Sequence, residues 1–192
     1  MSDHKIEYVS GVVRSMLEAL GEDVERPGLL DTPRRVAKMY VNELFQGHGV
    51  DLKSVIESAI FEGDGGEGMI VVKDIPFYSM CEHHLVPFHG KAHVGYIAQG
   101  NRVVGLSKIA RVVDLAARQP QVQERMTCMI ADALWQSELK PEGVGVVLEA
   151  EHLCMAMRGI RKPNSSTKTS EVRGSFRDEP ETRSEFMELL RP

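Results

Sequence analysis

Val144-Gly145-Val146-Val147-Leu148-Glu149-Ala150-Glu151-His152 decides the fold class. Val144, Val146, Leu148, Ala150 and His152 recur at every second position, so they share one face of a strand. Lys91-Ala92-His93-Val94-Gly95-Tyr96-Ile97-Ala98 repeats the pattern, with Ala92, Val94, Tyr96 and Ala98 on one face. Met69–Ile75 is rich in β-branched residues, and Ser166–Phe176 reads as a further strand. Between these runs the period becomes helical. Ile109, Val112, Val113 and Ala116 follow Ser107, which the pattern makes an N-cap. Pro120 opens a second helix carrying Val122, Met126, Met129, Ile130 and Leu134. Thr182-x-x-Glu185 has the form of a capping box for a last helix with Phe186, Leu189 and Leu190. Strands come in runs rather than in strict alternation with helices. This predicts an α+β fold, an antiparallel sheet with helices on one face.

The N-terminal part is helical. Ile6, Val9, Val13, Met16, Leu17 and Leu20 mark an amphipathic helix over residues 4–20, ended by Gly21. A second begins at Asp31-Thr32-Pro33, with Val36, Met39, Tyr40 and Leu44 as its apolar stripe and Gly47 at its end. Glu62-Gly63-Asp64-Gly65-Gly66-Glu67-Gly68 reads as a flexible polar loop. It divides an N-terminal helical region, 1–62, from a sheet-bearing domain, 63–192. Its carboxylates and its lack of a following Lys-Ser/Thr argue against a phosphate loop.

Of the 192 residues, 42% are hydrophobic and 27% charged, which excludes a disordered chain. The net charge of −5 disfavours electrostatic nucleic-acid binding. No apolar run approaches the roughly 18 residues of a membrane span. Met1–Tyr8 is polar and lacks the apolar run of a signal peptide, so the expected compartment is the cytoplasm. Three cysteines, Cys81, Cys128 and Cys154, are too few and too odd in number for a disulfide framework.

Met80-Cys81-Glu82-His83-His84-Leu85 carries the sharpest chemical signal. Cys81 and His84, three positions apart, can turn toward one metal ion, and zinc takes thiolate and imidazole readily. Glu151-His152-Leu153-Cys154 offers a third ligand. On a continuing strand, His152 and Cys154 would share a face. Cys81, His84 and Cys154 would leave one position open, the pattern of a catalytic zinc that activates water. The plainer reading is two buried thiols and two surface histidines. His83 and His152, left over beside such a metal, titrate near neutrality and suit proton transfer; the alternative is a hydrogen-bonding role around the ligands.

Two segments are basic in this acidic chain. Residues 101–125 hold Arg102, Lys108, Arg111, Arg118 and Arg125 against Asp114 and Glu124; residues 158–173 hold Arg158, Arg161, Lys162, Lys168 and Arg173 against Glu171. Lys108 and Arg111 share a helix face near Ser107, where backbone N–H groups favour an anion. A polyphosphate fits this set, and a solvated helix face explains it equally. Glu124 follows Gln123 in the first turn of a helix. It either balances the helix dipole or accepts the N1–H and 2-amino group of a guanine.

Cys81-Glu82-His83-His84, Gly105-Leu106-Ser107-Lys108, Gln119-Pro120-Gln121-Val122-Gln123-Glu124-Arg125 and His152-Leu153-Cys154-Met155-Ala156-Met157-Arg158-Gly159 occur in that order. Together with Leu30–Tyr40 they resemble the GTP cyclohydrolase I family. The resemblance runs from about Gly28 to the C-terminus. It implies a tunnelling fold assembled as a homodecamer, with active sites at subunit interfaces. It implies hydrolytic opening of the imidazole ring of GTP, release of formate and formation of 7,8-dihydroneopterin triphosphate, the first step of a tetrahydrofolate or pterin pathway. It assigns Cys81, His84 and Cys154 to Zn2+, His83 and His152 to acid–base work, and Ser107 to the rearranging ribose. Glu124 with Gln123 is assigned to the guanine. Ser107, Lys108, Arg111 and Arg158 are assigned to the triphosphate, with Arg35 and Lys38 contributing from another subunit. The short N-terminal extension implies no regulatory arm. Two other readings fit the same residues: another tunnelling-fold enzyme acting on a pterin or deazaguanine, and a non-enzymatic zinc or nucleotide-binding module. No nucleic-acid or membrane partner is expected of the chain.

Overall fold

The computed structural model describes residues 2–63 and 68–191. Most of the Gly-rich loop expected over Glu62–Gly68, residues 64–67, lies outside them. The chain forms two compact units, Met1–Gln46 and Gly47–Pro192. The expected boundary at 62/63 thus lies sixteen positions beyond the one observed. The reason is a helix the periodicity missed, α3 (Leu52–Glu57), which buries Leu52 and Ile56 in the core of the second unit. Six residues are too short a window to show a helical period.

The first unit contains α1 (Ser2–Ala19), α2 (Thr32–Met39) and a π-helical turn, Tyr40–Leu44. Gly21 follows α1 at φ +88°, the left-handed conformation that ends helices. Ile6 and Val13 of the expected stripe are buried. Tyr8, Val12, Met16 and Leu20 form an exposed apolar row at four-residue spacing. Asp31 precedes α2, yet its carboxylate pairs with Arg35 instead of capping the backbone.

The second unit is built on a five-stranded sheet of order β5-β2-β3-β6-β7. Its strands are β2 (Met69–Cys81), β3 (Pro87–Ile97), β5 (Pro120–Gln121), β6 (Gly143–His152) and β7 (Ser166–Gly174). A two-stranded ribbon pairs β1 (Ile60–Glu62) with β4 (Arg102–Val104). All pairings are antiparallel except the two-residue β2–β5 contact. Ala92, Val94, Tyr96, Val144, Val146, Leu148 and Ala150 face the main core, as the alternation predicts. α4 (Leu106–Ala117) and α5 (Gln123–Trp135) pack Ile109, Val112, Val113, Met126, Ile130 and Leu134 against them. α7 (Ser175–Asp178) and α8 (Pro180–Leu189) add a smaller cluster, in which Phe176 and Phe186 meet Val147 from the alternate positions of β6.

Several helix starts differ from the sequence reading. α4 begins at Leu106 with Gly105 as N-cap, so Ser107 sits inside the first turn. Pro120 belongs to β5, and α5 starts at Gln123. Thr182 lies inside α8 and donates to Glu179, so the expected capping box does not form. Of these, Pro120 is drawn away by pairing with Met80 of β2.

A bulge in β2 positions the site. The register with β3 shifts between Val72 and Ile75, where Asp74 adopts φ +59°. The extra residue moves the core-facing set from Ile70 and Val72 to Ile75, Phe77, Ser79 and Cys81. Cys81 therefore ends the strand facing inward. Gly90 of β3 allows close approach of β6: a Cβ there would lie 1.9 Å from the Glu149 carbonyl oxygen. Gly90→Ala is expected to lower stability by about 1–3 kcal/mol through forced backbone shifts. A denaturant midpoint equal to the parent's would contradict this close packing.

Candidate active site

At the end of β2 the chain turns back sharply. The Leu85 N–H donates to the Cys81 carbonyl at 2.8 Å, and Leu85 takes φ +50°. This turn brings His84 Nδ1 to 3.7 Å and His83 Nδ1 to 3.9 Å from Cys81 Sγ. The third member arrives differently from the expectation. Strand β6 stops at His152, and Leu153–Ala156 form a helical turn, α6. His152 and Cys154 are thus not on one strand face. The turn nonetheless carries Cys154 to the group, and the ligand atoms of Cys81, His84 and Cys154 lie within 4.8 Å of one another.

Two thiols and an imidazole at this separation suit a soft divalent cation. The Cys154 thiol is pushed up, first by burial and then by Cys81 beside it, while nearby Arg158 opposes the shift. Two sulfurs crowded together are what a cation reconciles. The donor set therefore fits zinc. Cys128 is elsewhere, on α5, where its thiol donates to Glu171 Oε2 at 3.3 Å.

His152 lies against Phe88, its cross-strand partner, with ring centroids 4.6 Å apart and planes 1° from parallel. Its Nε2 is 2.8 Å from Gln123 Oε1. Burial lowers the His152 pKa, and the neighbouring Glu124 carboxylate opposes that shift. Glu124 itself is exposed at the start of α5. Gln123, expected beside it on the guanine, is instead 1% exposed, and its amide is consumed inside the chain. Helical spacing separates the two: adjacent residues on α5 point about 100° apart, one outward and one toward the sheet.

A clamp invisible in the motif list joins the Cys81 turn to α5. Arg125 Nε donates to Gln121 Oε1 at 2.9 Å, and its Nη2 donates to Glu82 and to the Pro120 carbonyl. The Glu82 N–H donates to the Gln121 carbonyl at 3.0 Å. The i, i+4 spacing of Gln121 and Arg125 was the only available signal for it.

The basic segments divide cleanly. Arg102, Arg118, Arg125, Lys168 and Arg173 are engaged by acidic groups or carbonyls. Lys108, Arg111, Arg158, Arg161 and Lys162 have no ion pair among the described residues. Lys108 and Arg111 stand on the first turns of α4 beside exposed Ser107, and Arg158 follows α6. Among the described residues no hydrogen bond or ion pair joins the α4 set to the cysteine group. Arg35 and Lys38 lie exposed on α2 of the first unit, Arg35 paired with Asp31.

The family model described as GTP cyclohydrolase I matches residues 9–191. A Brevibacillus brevis protein named GTP cyclohydrolase 1 is 53% identical over 191 residues, all of both chains. One of that name from Thermoanaerobacter pseudethanolicus is 54% identical over 96% of each chain. One from Bacillus subtilis is 53% identical over 100% of this chain and 98% of its own. A solved structure, an archaeosine synthase QueF-Like in the apo form, aligns at TM-score 0.47 and 14% identity. It covers 57% of this chain and 97% of its own.

Proposed function

Because the chain belongs to the GTP cyclohydrolase I family, we propose that Cys81, His84 and Cys154 hold zinc at the centre of its active site. The family function is that of this enzyme: hydrolytic opening of the imidazole ring of GTP, releasing formate and giving 7,8-dihydroneopterin triphosphate. The observation carrying the site proposal is the convergence of two thiols and an imidazole within 4.8 Å from segments about seventy residues apart in sequence. A bound zinc ion supplies a Lewis acid that activates water near neutral pH.

The remaining roles belong to the chain. His152, seated on Phe88, exchanges protons with the opening ring, and exposed His83 on the Cys81 turn is its partner in acid–base work. Glu124 accepts the N1–H and 2-amino protons of guanine, a pair adenine cannot present. Lys108, Arg111 and Arg158, free of acidic partners, bind the triphosphate with the α4 N-terminus, and Ser107 serves the ribose. Arg35 and Lys38 contribute phosphate contacts from another subunit. The assembly we infer is a homodecamer with shared sites. The exposed apolar row Tyr8, Val12, Met16 and Leu20 supports burial between copies. No helix among the described residues is long and apolar enough to cross a membrane. We assign the enzyme to the cytoplasm and its product to tetrahydrofolate or pterin synthesis.

The deciding experiment is formate release by the zinc-loaded protein, with ATP as control. Formate from GTP alone is the expected result, and equal release from ATP would remove Glu124 as base reader. Glu124→Ala is expected to weaken GTP binding at least about tenfold, the scale of a charge-assisted hydrogen-bond pair, with zinc content unchanged. Unaltered GTP affinity would sink that role.

A further inference from the structure

The strongest unexploited feature is the buried amide of Gln123. Its Nε2 lies 2.9 Å from the Thr167 carbonyl, 3.2 Å from the Leu148 carbonyl and 3.1 Å from Thr169 Oγ1. Two of these partners are carbonyl oxygens, which only accept. The amide orientation is therefore fixed, since reversing it would set Oε1 against both carbonyls. Thr169 is itself tied to Thr127, whose hydroxyl donates to the Gln123 carbonyl at 2.7 Å. Gln123 is held by β6, β7 and its own helix, with Oε1 aimed at His152 Nε2 at 2.8 Å.

An amide oxygen cannot donate, so the hydrogen in that bond sits on His152 Nε2. A neutral imidazole protonated at Nε2 carries its lone pair on Nδ1. Phe88 fixes the remaining freedom, because the parallel stack at 4.6 Å holds the ring plane. We propose that Gln123 is a positioning residue. It fixes His152 in the Nε2–H tautomer, presenting Nδ1 as the proton-accepting nitrogen, and it does not read the base. This rests on the proposed proton-transfer role of His152. It departs from the guanine-contacting role that the sequence resemblance implies for Gln123.

The test uses the zinc-loaded, assembled enzyme. Gln123→Met keeps the length and apolar volume of the side chain but loses both halves of the amide. The expected result is a fall in kcat of about 10- to 100-fold, the usual scale for groups that orient a reacting side chain. KM for GTP and zinc content stay unchanged. A raised KM with kcat preserved would overturn the proposal. So would a lost preference for GTP over inosine triphosphate, which lacks the 2-amino group. A double-mutant cycle separates positioning from general damage. Adding Gln123→Met to His152→Ala should cost nothing beyond His152→Ala alone. A further fall by the full single-variant factor would mean that Gln123 works independently of His152. Full activity of His152→Ala by itself would instead refute the proton-transfer reading. Should Gln123→Met fail to hold zinc, Thr169→Val carries the same test, because it loosens the amide and leaves Gln123 in place. It should lower kcat with KM constant, and an unchanged kcat would overturn the proposal.

Discussion

Cys154→Ala is expected to emerge from desalting without stoichiometric zinc and to release no formate from GTP above background. Among the described residues three protein donors converge at the site, from the end of β2, the turn after it and α6. Removing one leaves a thiolate and an imidazole from the same turn. Two ligands do not meet the tetrahedral preference that makes zinc binding strong. Turnover should fall by at least about 10³-fold, since water without a metal ionises only far above neutral pH. Metal analysis and the formate assay on one preparation check both halves. Zinc retained at one equivalent per chain would remove Cys154 from the ligand set. Cys128→Ala is the matched control, because that thiol is spent on Glu171 and its loss should leave zinc and turnover intact.

The same site makes zinc uptake dependent on pH. The Cys154 thiol is raised by burial and by Cys81, so it enters the metal-free site protonated at neutrality. Binding must displace that proton. Zinc affinity should therefore rise as pH increases from about 6 to about 8, with protons released on titration. A pH-independent affinity would show that the thiol does not ligate.

His152→Ala is expected to lower steady-state turnover about 10²–10⁴-fold, leaving a measurable residue, while keeping zinc. A positioned acid–base group contributes about 10²–10⁴-fold, and His152 has the hallmarks of one. It is seated on a buried aromatic ring, hydrogen-bonded from behind and set beside Glu124. Alanine removes the proton carrier but none of the three proposed ligands. Zinc stoichiometry and GTP affinity should stay within a few-fold of the parent. Full activity would remove His152 from the mechanism. Coincident loss of zinc would recast it as support for the metal site. The two variants therefore separate the metal's contribution from the imidazole's.

The alternation in β3 and β6 was legible because one face of each strand packs on the main core, and a period of two records that face directly. The site motifs were legible because thiols and paired histidines are chemically distinctive at short spacing. Less was legible where several elements compete for the same residues. Pro120 opens helices by local rule, yet pairing with β2 draws it into β5. Ser107 caps helices by local rule, yet Gly105 takes that position. α3 is one and a half turns long and owes its existence to the core that receives Leu52 and Ile56.

What the amino-acid sequence alone determined was the α+β class, the two core-facing strand sets and the residue types available for a metal, protons, a base and phosphates. These depend on periodicity and side-chain chemistry, which are local. Which of those residues meet was decided by tertiary structure. A single bulge at Lys73–Asp74 turns Cys81 inward, and the end of β6 at His152 lets a helical turn bring Cys154 to it. Glu124 and Gln123, adjacent in the chain, part company because a helix sends neighbours about 100° apart and only one of them faces the sheet. A buried amide must satisfy its hydrogen bonds within the protein. In this fold the acceptors on β6 and β7, with the imidazole of His152, were the partners within reach of Gln123.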